Sequence, residues 1–576
     1  MITKYFTFVI AIIFFSTLNV QSLDKFNKED KISDYFSGIL LLNQGSYSDS
    51  YNYLKKLNGL ENRHKIYSRK YLLTLINSGN ISQALNYSKK LEKNKLTSFE
   101  SDLVIGINHF KNSKYYQSRK FFLNSKNRKN RSILDNYITS SLINWSELEN
   151  LKFNEAIVSL NKLDNRFENL KKIQEVFLSC FYGRSETAGL FNKLISDETT
   201  DFSRYAYFYA NYLKSINKND KAKQIINDTL KLYPRNLLLN QYKINLEKNL
   251  PNSNFDCKKK QHVLAEIIYI AANALSSQSV YSLSNFYLNL SKYLNPNFYA
   301  FDILLAENYY KIEKFEIAKK VYKKLSKYGS SYNWYSNKQI SKILAREGKN
   351  EQAIKLLKNT FSNLKYQNIY DNYDYAEFLK NNEKFKESIK YYSLIIENIN
   401  KDHPLYPEVT DSRGVAYERI GLWNKAEKDL IASLEASPDQ PYVINYLAYS
   451  WIEKGIKVEK SLKMLERANQ LKSNDPYIID SLGWALFKLK RYEESKKYLQ
   501  TAVKLMPADP IVNDHYGDVL WKNGYKIQAR YYWEYVLNLK KTDQSLKLII
   551  EKKLIKGLSN YGLQVLRKIK FNFYGQ

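Results

Sequence analysis

Along residues 475–510 the chain reads DPYIIDSLGWALFKLKRYEESKKYLQTAVKLMPADP. Aromatic residues and leucines fill two runs, with polar residues between them at helical rather than strand intervals. Gly483, Ser495, Ala502 and Pro507 interrupt those runs with small or helix-breaking residues, and the stretch opens and closes on Asp-Pro. This predicts two helices joined by a short turn, with a proline stop after the second.

The pattern recurs. With Pro476 as position 1, Gly483 stands at position 8, Lys490 at 15, Ser495 at 20, Ala502 at 27 and Pro507 at 32. The next register starts at Pro510 and puts Gly517, Gly524 and Ala529 at positions 8, 15 and 20. A register from Pro407 places Gly414, Gly421, Ala426, Ser433 and Pro438 at 8, 15, 20, 27 and 32. The one from Pro441 keeps Ala448, Ser461 and Ala468 once a residue is inserted after Gly455. Towards the N-terminus the register loosens. Ala376 with Ser388, Ala306 with Ala318, Ala210 with Ala222, Gly106 with Ser118 and Gly38 with Ser50 keep the pairing of positions 8 and 20. Of the 10 prolines, Pro234, Pro296, Pro407, Pro438, Pro441, Pro476, Pro507 and Pro510 all fall at position 1 or 32, so proline marks the junctions between units.

A helix-turn-helix unit of about 34 residues with this spacing resembles the tetratricopeptide repeat. The two helices of a unit cross most closely at positions 8 and 20, where only Gly, Ala or Ser fits. Position 27 meets the following unit. The resemblance implies an all-α fold: a right-handed α-solenoid, or superhelix, of stacked helix-turn-helix units with a C-terminal capping helix. Roughly 14 units cover most of 31–543. The expected layout is a divergent N-terminal array over 23–236, an irregular connection at 237–264, and a second array over 265–543, clearest at 407–543. Residues 544–576 form the cap that covers the last apolar face.

Residues 1–22, MITKYFTFVIAIIFFSTLNVQS, have a lysine, an apolar run and a polar end, the layout of a secretory signal peptide with a cut after Ser22. The expectation is an exported protein, periplasmic or envelope-associated, or one anchored by an uncleaved N-terminal segment. Cys180 and Cys257 are the only cysteines, too few for a disulfide framework or a structural zinc site. Whether they pair is open at this level.

The charge is +31, from 89 Lys+Arg against 58 Asp+Glu. Lysines solvating helix faces along the whole chain account for much of it, and an anionic partner is the alternative. One cluster is dense: Lys111, Lys114, Arg119, Lys120, Lys126, Arg128, Lys129 and Arg131 occur with no acid between 111 and 132, interleaved with Tyr115, Tyr116 and Phe121. Such a patch suits an anionic membrane or cell-wall surface; nucleic acid is the less favoured ligand for an exported chain. A basic helical-repeat protein binding RNA or an anionic envelope polymer is the alternative to the main reading.

Phosphate-binding glycine loops, nucleophile elbows and zinc-binding histidine pairs do not occur in the sequence. His515 has Asp514 and Asp518 beside it, read as a solvated helix turn rather than a metal site. The expectation is a non-enzymatic scaffold without a cofactor, binding protein or peptide partners. In the family, positions 2, 5, 9, 12 and 13 of the first helix face the inner groove. On this chain the resemblance nominates Tyr442 and Tyr449; then Tyr477, Asp480, Trp484, Phe487 and Lys488; then Asp514, Asp518, Trp521 and Lys522. Rigid aromatics flanked by charges are suited to anchoring a partner; the alternative for Trp484 and Trp521 is packing against neighbouring helices. Mass spectrometry of the native protein tests the leader: the expected first residue is Leu23, which removes the RNA-binding reading, and a retained Met1 removes the cut after Ser22.

Overall fold

The computed structural model describes residues 29–128, 132–250, 254–365 and 367–558. The leader at 1–22, Lys129, Arg131 and the end of the cap segment lie outside the described residues. Among those described, the regular structure is helical throughout. The chain divides into two compact units between Leu364 and Lys365.

The first unit contains α1 (Glu29–Asn43), α2 (Tyr47–Leu54), α3 (Lys65–Asn77), α4 (Ile81–Lys93), α5 (Phe99–Lys111), α6 (Tyr115–Lys126), α7 (Ile133–Glu147), α8 (Phe153–Asn161), α9 (Glu168–Tyr182) and α10 (Thr187–Ile195). It continues with α11 (Ser203–Ser215), α12 (Asn219–Leu232), α13 (Leu237–Glu247), α14 (Lys260–Ser277), α15 (Tyr281–Leu294), α16 (Ala300–Lys311), α17 (Phe315–Leu325), α18 (Ser330–Arg346) and α19 (Asn350–Ser362). The second unit contains α20 (Ile369–Asn381), α21 (Phe385–Glu397), α22 (Tyr406–Arg419), α23 (Trp423–Ala436), α24 (Pro441–Lys454) and α25 (Val458–Leu471). After these come α26 (Pro476–Lys488), α27 (Tyr492–Leu505), α28 (Pro510–Lys522), α29 (Lys526–Asn538) and α30 (Gln544–Lys556).

Steric exclusion sets the pairing of helices. A Cβ placed on Gly483 would lie 2.7 Å from Leu499 Cγ and 3.2 Å from the Leu499 backbone nitrogen, so α26 and α27 cross almost backbone to backbone. Position 20 is fully buried, as at Ser50, Ser118, Ser284, Ser495, Ala426 and Ala529. In four units where it is serine, its hydroxyl reaches across the crossing to the carbonyl at position 8, whereas Ser388 and Ser461 donate to Phe385 and Lys457 at the start of their own helices. Ser50 donates to Gly38 (2.8 Å), Ser118 to Gly106 (2.7 Å), Ser284 to Ala272 (2.7 Å) and Ser495 to Gly483 (2.7 Å). These hydroxyls satisfy themselves on backbone oxygens and leave no orphaned polar atom in the seam.

Position 15 turns the chain between the two helices through a left-handed backbone. Gly524 has φ +88° there, and Ser113, Asn217, Ser279, Glu313, Glu383 and Lys490 adopt φ between +58° and +63° at the same place. A side chain in that region costs about 1 kcal/mol, which the packed helices on either side hold in place. The turn therefore persists in units where the glycine has been lost.

The first unit folds back on itself. The first helices of successive units, α3, α5, α7 and α9, all touch the hairpin α14–α15, with α15 against α3 and α5 and α14 against α7 and α9. Asn77 donates to the Ser282 carbonyl (2.9 Å), Tyr293 to Asn108 (2.8 Å) and Tyr287 to Asp135 (3.2 Å). Arg204 grips the buried Glu266 with both arms (2.7 and 2.8 Å). The inner face of this unit is thus occupied by the chain's own hairpin. Cys180 of α9 and Cys257, in the loop entering α14, form a disulfide with a Cα–Cα distance of 6.0 Å that closes 77 residues of chain.

This return changes the expected layout. The connection placed at 237–264 contains α13 and the start of α14, and no division falls there. The compact unit runs on to Leu364 because residues 260–314 are tied to the N-terminal helices, as where Lys314 donates to Ser46 (2.8 Å) and Asn285 donates to Tyr47 (3.3 Å). Paired substitutions test the register by thermal or urea unfolding. Gly483→Leu is expected to destabilise by roughly 1–3 kcal/mol through overpacking, and Lys490→Gly to stabilise by up to about 1 kcal/mol through relief of the left-handed backbone. No change in either contradicts the crossing and the turn.

Candidate functional site

The nominated residues stand on α24, α26 and α28. Each of these helices opens with proline at its first turn, and Asp475 and Asp509 cap two of them. Asp475 accepts from the Tyr477 and Ile478 backbone nitrogens (3.1 and 3.3 Å), and Asp509 from those of Ile511 and Val512 (2.9 and 3.1 Å). The Asp-Pro signature thus fixes where each first helix begins and which side chains it turns inward.

Those inward side chains meet one another rather than solvent. Trp484 is fully buried, stacked on His515 (3.9 Å between centroids) and on Phe487 (4.7 Å), and its indole N–H donates to Glu453 (2.7 Å). The His515 Nδ1 lies 3.0 Å from Asp480 Oδ2. Burial opposes the imidazolium, but the Asp480 carboxylate outweighs it and holds His515 above its ordinary value. Tyr449 and Phe487 are buried as well. Lys488 lies over the Trp484 ring and 3.7 Å from Glu453.

The far end of this face is filled by α30. Lys553, on the apolar stripe of Leu546, Ile549 and Ile550, enters the core. Its ammonium is 2.6 Å from Asp514 and 2.7 and 2.9 Å from the two oxygens of Asp518. Trp533 donates to Asp518 as well (3.1 Å). Burial pushes the Asp518 carboxyl up to about 6, with Lys553 pulling against it. For Lys553 burial works to lower the value, but the two carboxylates outweigh it and keep the ammonium charged. Trp521 packs against Gly557, where a Cβ would lie 2.1 Å from the ring, and against Trp533 at 5.3 Å.

Three expectations change. Tyr449, Asp480, Trp484, Phe487, Asp514 and Asp518 do not line an open groove, because stacked first helices and the cap cover them. The half-buried Tyr442, Tyr477, Lys488, Trp521 and Lys522 remain at its rim. The turn around His515 is not solvated: all three of its polar residues are buried and ion-paired. The basic cluster is not one face either. Lys111 lies over Tyr293 (3.7 Å), Arg119 pairs with Glu147 and Arg128 with Asp102 (2.6 Å). Lys114, Lys120 and Lys126 stay exposed. Among the described residues no group of three or more His, Cys, Asp and Glu is placed to hold a metal.

Residues 476–509, the unit whose crossing and turn are described above, match the tetratricopeptide repeat family. The chain carries a tetratricopeptide repeat at these residues. It is 26% identical over 113 residues to a TPR repeat-containing protein, PA4667, of Pseudomonas aeruginosa, a match that covers 20% of this chain and 18% of that one. Among solved structures, a tetratricopeptide repeat protein from Parabacteroides merdae aligns over 38% of this chain and 85% of its own, at 14% identity and a TM-score of 0.32. The thermophilic TPR protein TTC0263 of Thermus thermophilus aligns over 33% of this chain and all of its own, at 14% identity and a TM-score of 0.28.

One residue that holds this repeat face together escaped the sequence reading, Lys553. It carried a readable sign, since a lysine on an otherwise apolar stripe needs a buried partner. Lys553→Ala is expected to destabilise the second unit by roughly 3–5 kcal/mol, because it strands two buried carboxylates. Denaturant unfolding checks this, and a loss near zero would show that the cluster is solvated.

Proposed function

We propose that the protein is a non-enzymatic scaffold exported to the cell envelope, where it holds protein partners during assembly or maintenance of envelope complexes. Tetratricopeptide repeats generally mediate protein–protein interaction. The observation that carries the reading for this chain is that its described length is given over to stacked helix pairs. The acid and histidine clusters between them are consumed by internal ion pairs such as Lys553 with Asp514 and Asp518. The Cys180–Cys257 disulfide supports the export part, since such bonds persist in oxidising compartments.

Partner contact is assigned to the rim rather than the floor. Tyr442 and Tyr477 occupy position 2 of successive units and are half-buried, and Lys488 and Lys522 stand at position 13 on the other edge. Tyr442 is pre-set for contact: its hydroxyl donates to Asp475 (2.9 Å) and Lys472 lies 4.2 Å over its ring. A held aromatic loses little freedom on binding.

A photo-crosslinking amino acid at Tyr477 or Lys522, compared with one at the buried Trp484, tests this in envelope fractions. Crosslinked partners are expected from the first two positions, and Tyr442→Ala with Tyr477→Ala is expected to lower their recovery severalfold with helicity unchanged. Equal recovery from all positions, or from neither rim position, overturns the assignment.

A further inference from the structure

On α29 three large side chains point outward in line: Ile527 is 84% exposed, Tyr531 65% and Tyr535 38%. They stand four residues apart and form one ridge along the helix. The opposite side of α29, with Ala529, Trp533 and Val536, already meets the core. The ridge occupies positions 18, 22 and 26 of its unit. At those positions the two preceding units carry Glu493, Lys497 and Thr501 on α27, and Glu459, Lys463 and Arg467 on α25, all exposed. Stacking of repeats thus makes no demand for apolar residues there, and the last unit departs from the two before it by carrying large apolar side chains at all three positions.

The surroundings narrow what fits. The adjacent α30 also turns Leu548 (51% exposed) and Ile555 (78%) outward. Lys540, Lys541, Lys552 and Lys556 stand exposed on this end of the chain, against Glu534, Asp543 and Glu551. Successive first helices pack on one another, α24 on α26 and α26 on α28. Second helices such as α29 therefore lie on the outside of the curve. An outer ridge has no walls to hold a peptide, whereas it can lie along a flat surface. Tyrosines and isoleucine flanked by lysines are the composition of helices that sit in a bilayer interface over anionic headgroups.

We propose that the α29–α30 end docks on a bilayer surface carrying anionic lipid, with Ile527, Tyr531 and Tyr535 entering the headgroup layer and the lysines pairing with phosphate. The surface is distinct from the rim residues assigned to partners and does not depend on the export reading.

The test is co-sedimentation of the full chain with vesicles of phosphatidylcholine alone or mixed equally with phosphatidylglycerol. The parent is expected to bind the mixed vesicles at least about tenfold more tightly, with salt weakening it. Ile527→Gln with Tyr531→Ser and Tyr535→Gln is expected to abolish that preference with unchanged circular dichroism and melting. Lys552→Glu with Lys556→Glu is expected to reduce it without touching the ridge. An apolar N-terminal segment would add the same binding to parent and variants, so the difference isolates this surface. Equal binding of the parent and both variants overturns the proposal. So does a dimer, seen by analytical ultracentrifugation, that the ridge variant dissolves while vesicle binding stays the same.

Discussion

The close crossing of paired helices at positions 8 and 20 is the constraint from which the rest of the structure follows. Where Gly483 faces Leu499, or Gly106 faces Phe122 at 2.5 Å from an ideal Cβ, no larger residue fits without displacing its neighbour. Close approach fixes the angle between the two helices of a unit, and that angle decides how the next unit stacks. Serine can replace glycine's partner because its hydroxyl satisfies itself on the facing carbonyl. The constraint is local, so it survives in units that have lost nearly every other mark of the repeat.

Stacking usually leaves an inner face free for a ligand. In this protein the first unit fills that face with α14–α15, and the second closes it with aromatic stacking around Trp484 and with Lys553 from the cap. The Arg204–Glu266 pair and the Lys553 cluster place charges inside, where they are held by geometry rather than by water. Removal of one partner from such a pair is far more damaging than removal of both. The floor of the groove is thereby closed, and its edges and the outer helices keep the exposed side chains.

The fold was largely legible because its determinants are short-range. Gly at position 8, Pro at positions 1 and 32 and Asp before Pro each act within one unit, and the helices begin and end where they say. The return of α14–α15 onto α3 and α5 was not legible, since it joins residues such as Asn77 and Ser282 that lie 205 positions apart and carry no periodic mark. The burial of the nominated residues was not legible for a related reason. Register shows which side of a helix faces inward, but not whether that side meets solvent or a neighbouring helix. Trp484 and Asp480 do face inward, and it is His515 of the next unit that covers them.

Burial also redistributes charge. Among the described residues, buried carboxylates outnumber buried lysines: Glu61, Glu100, Asp102, Glu266, Asp302, Asp411, Asp429, Asp475, Asp480, Asp514 and Asp518, against Lys260, Lys319, Lys380 and Lys553. Helix-facing carboxylates are short enough to be enclosed and to take a lysine or arginine head reaching in from the edge, as Arg413 reaches Asp429 (2.7 Å) and Arg128 reaches Asp102. Each such pair cancels one basic head at the edge, so the enclosed acids still offset the lysines and arginines they hold, and the long-range charge of the chain stays the net +31. A long-range positive field of this kind draws the protein towards any anionic surface and supplies no selectivity among them. Selectivity must then come from short-range features that the repeats do not share, and on the second unit the aromatic ridge of α29 is such a feature.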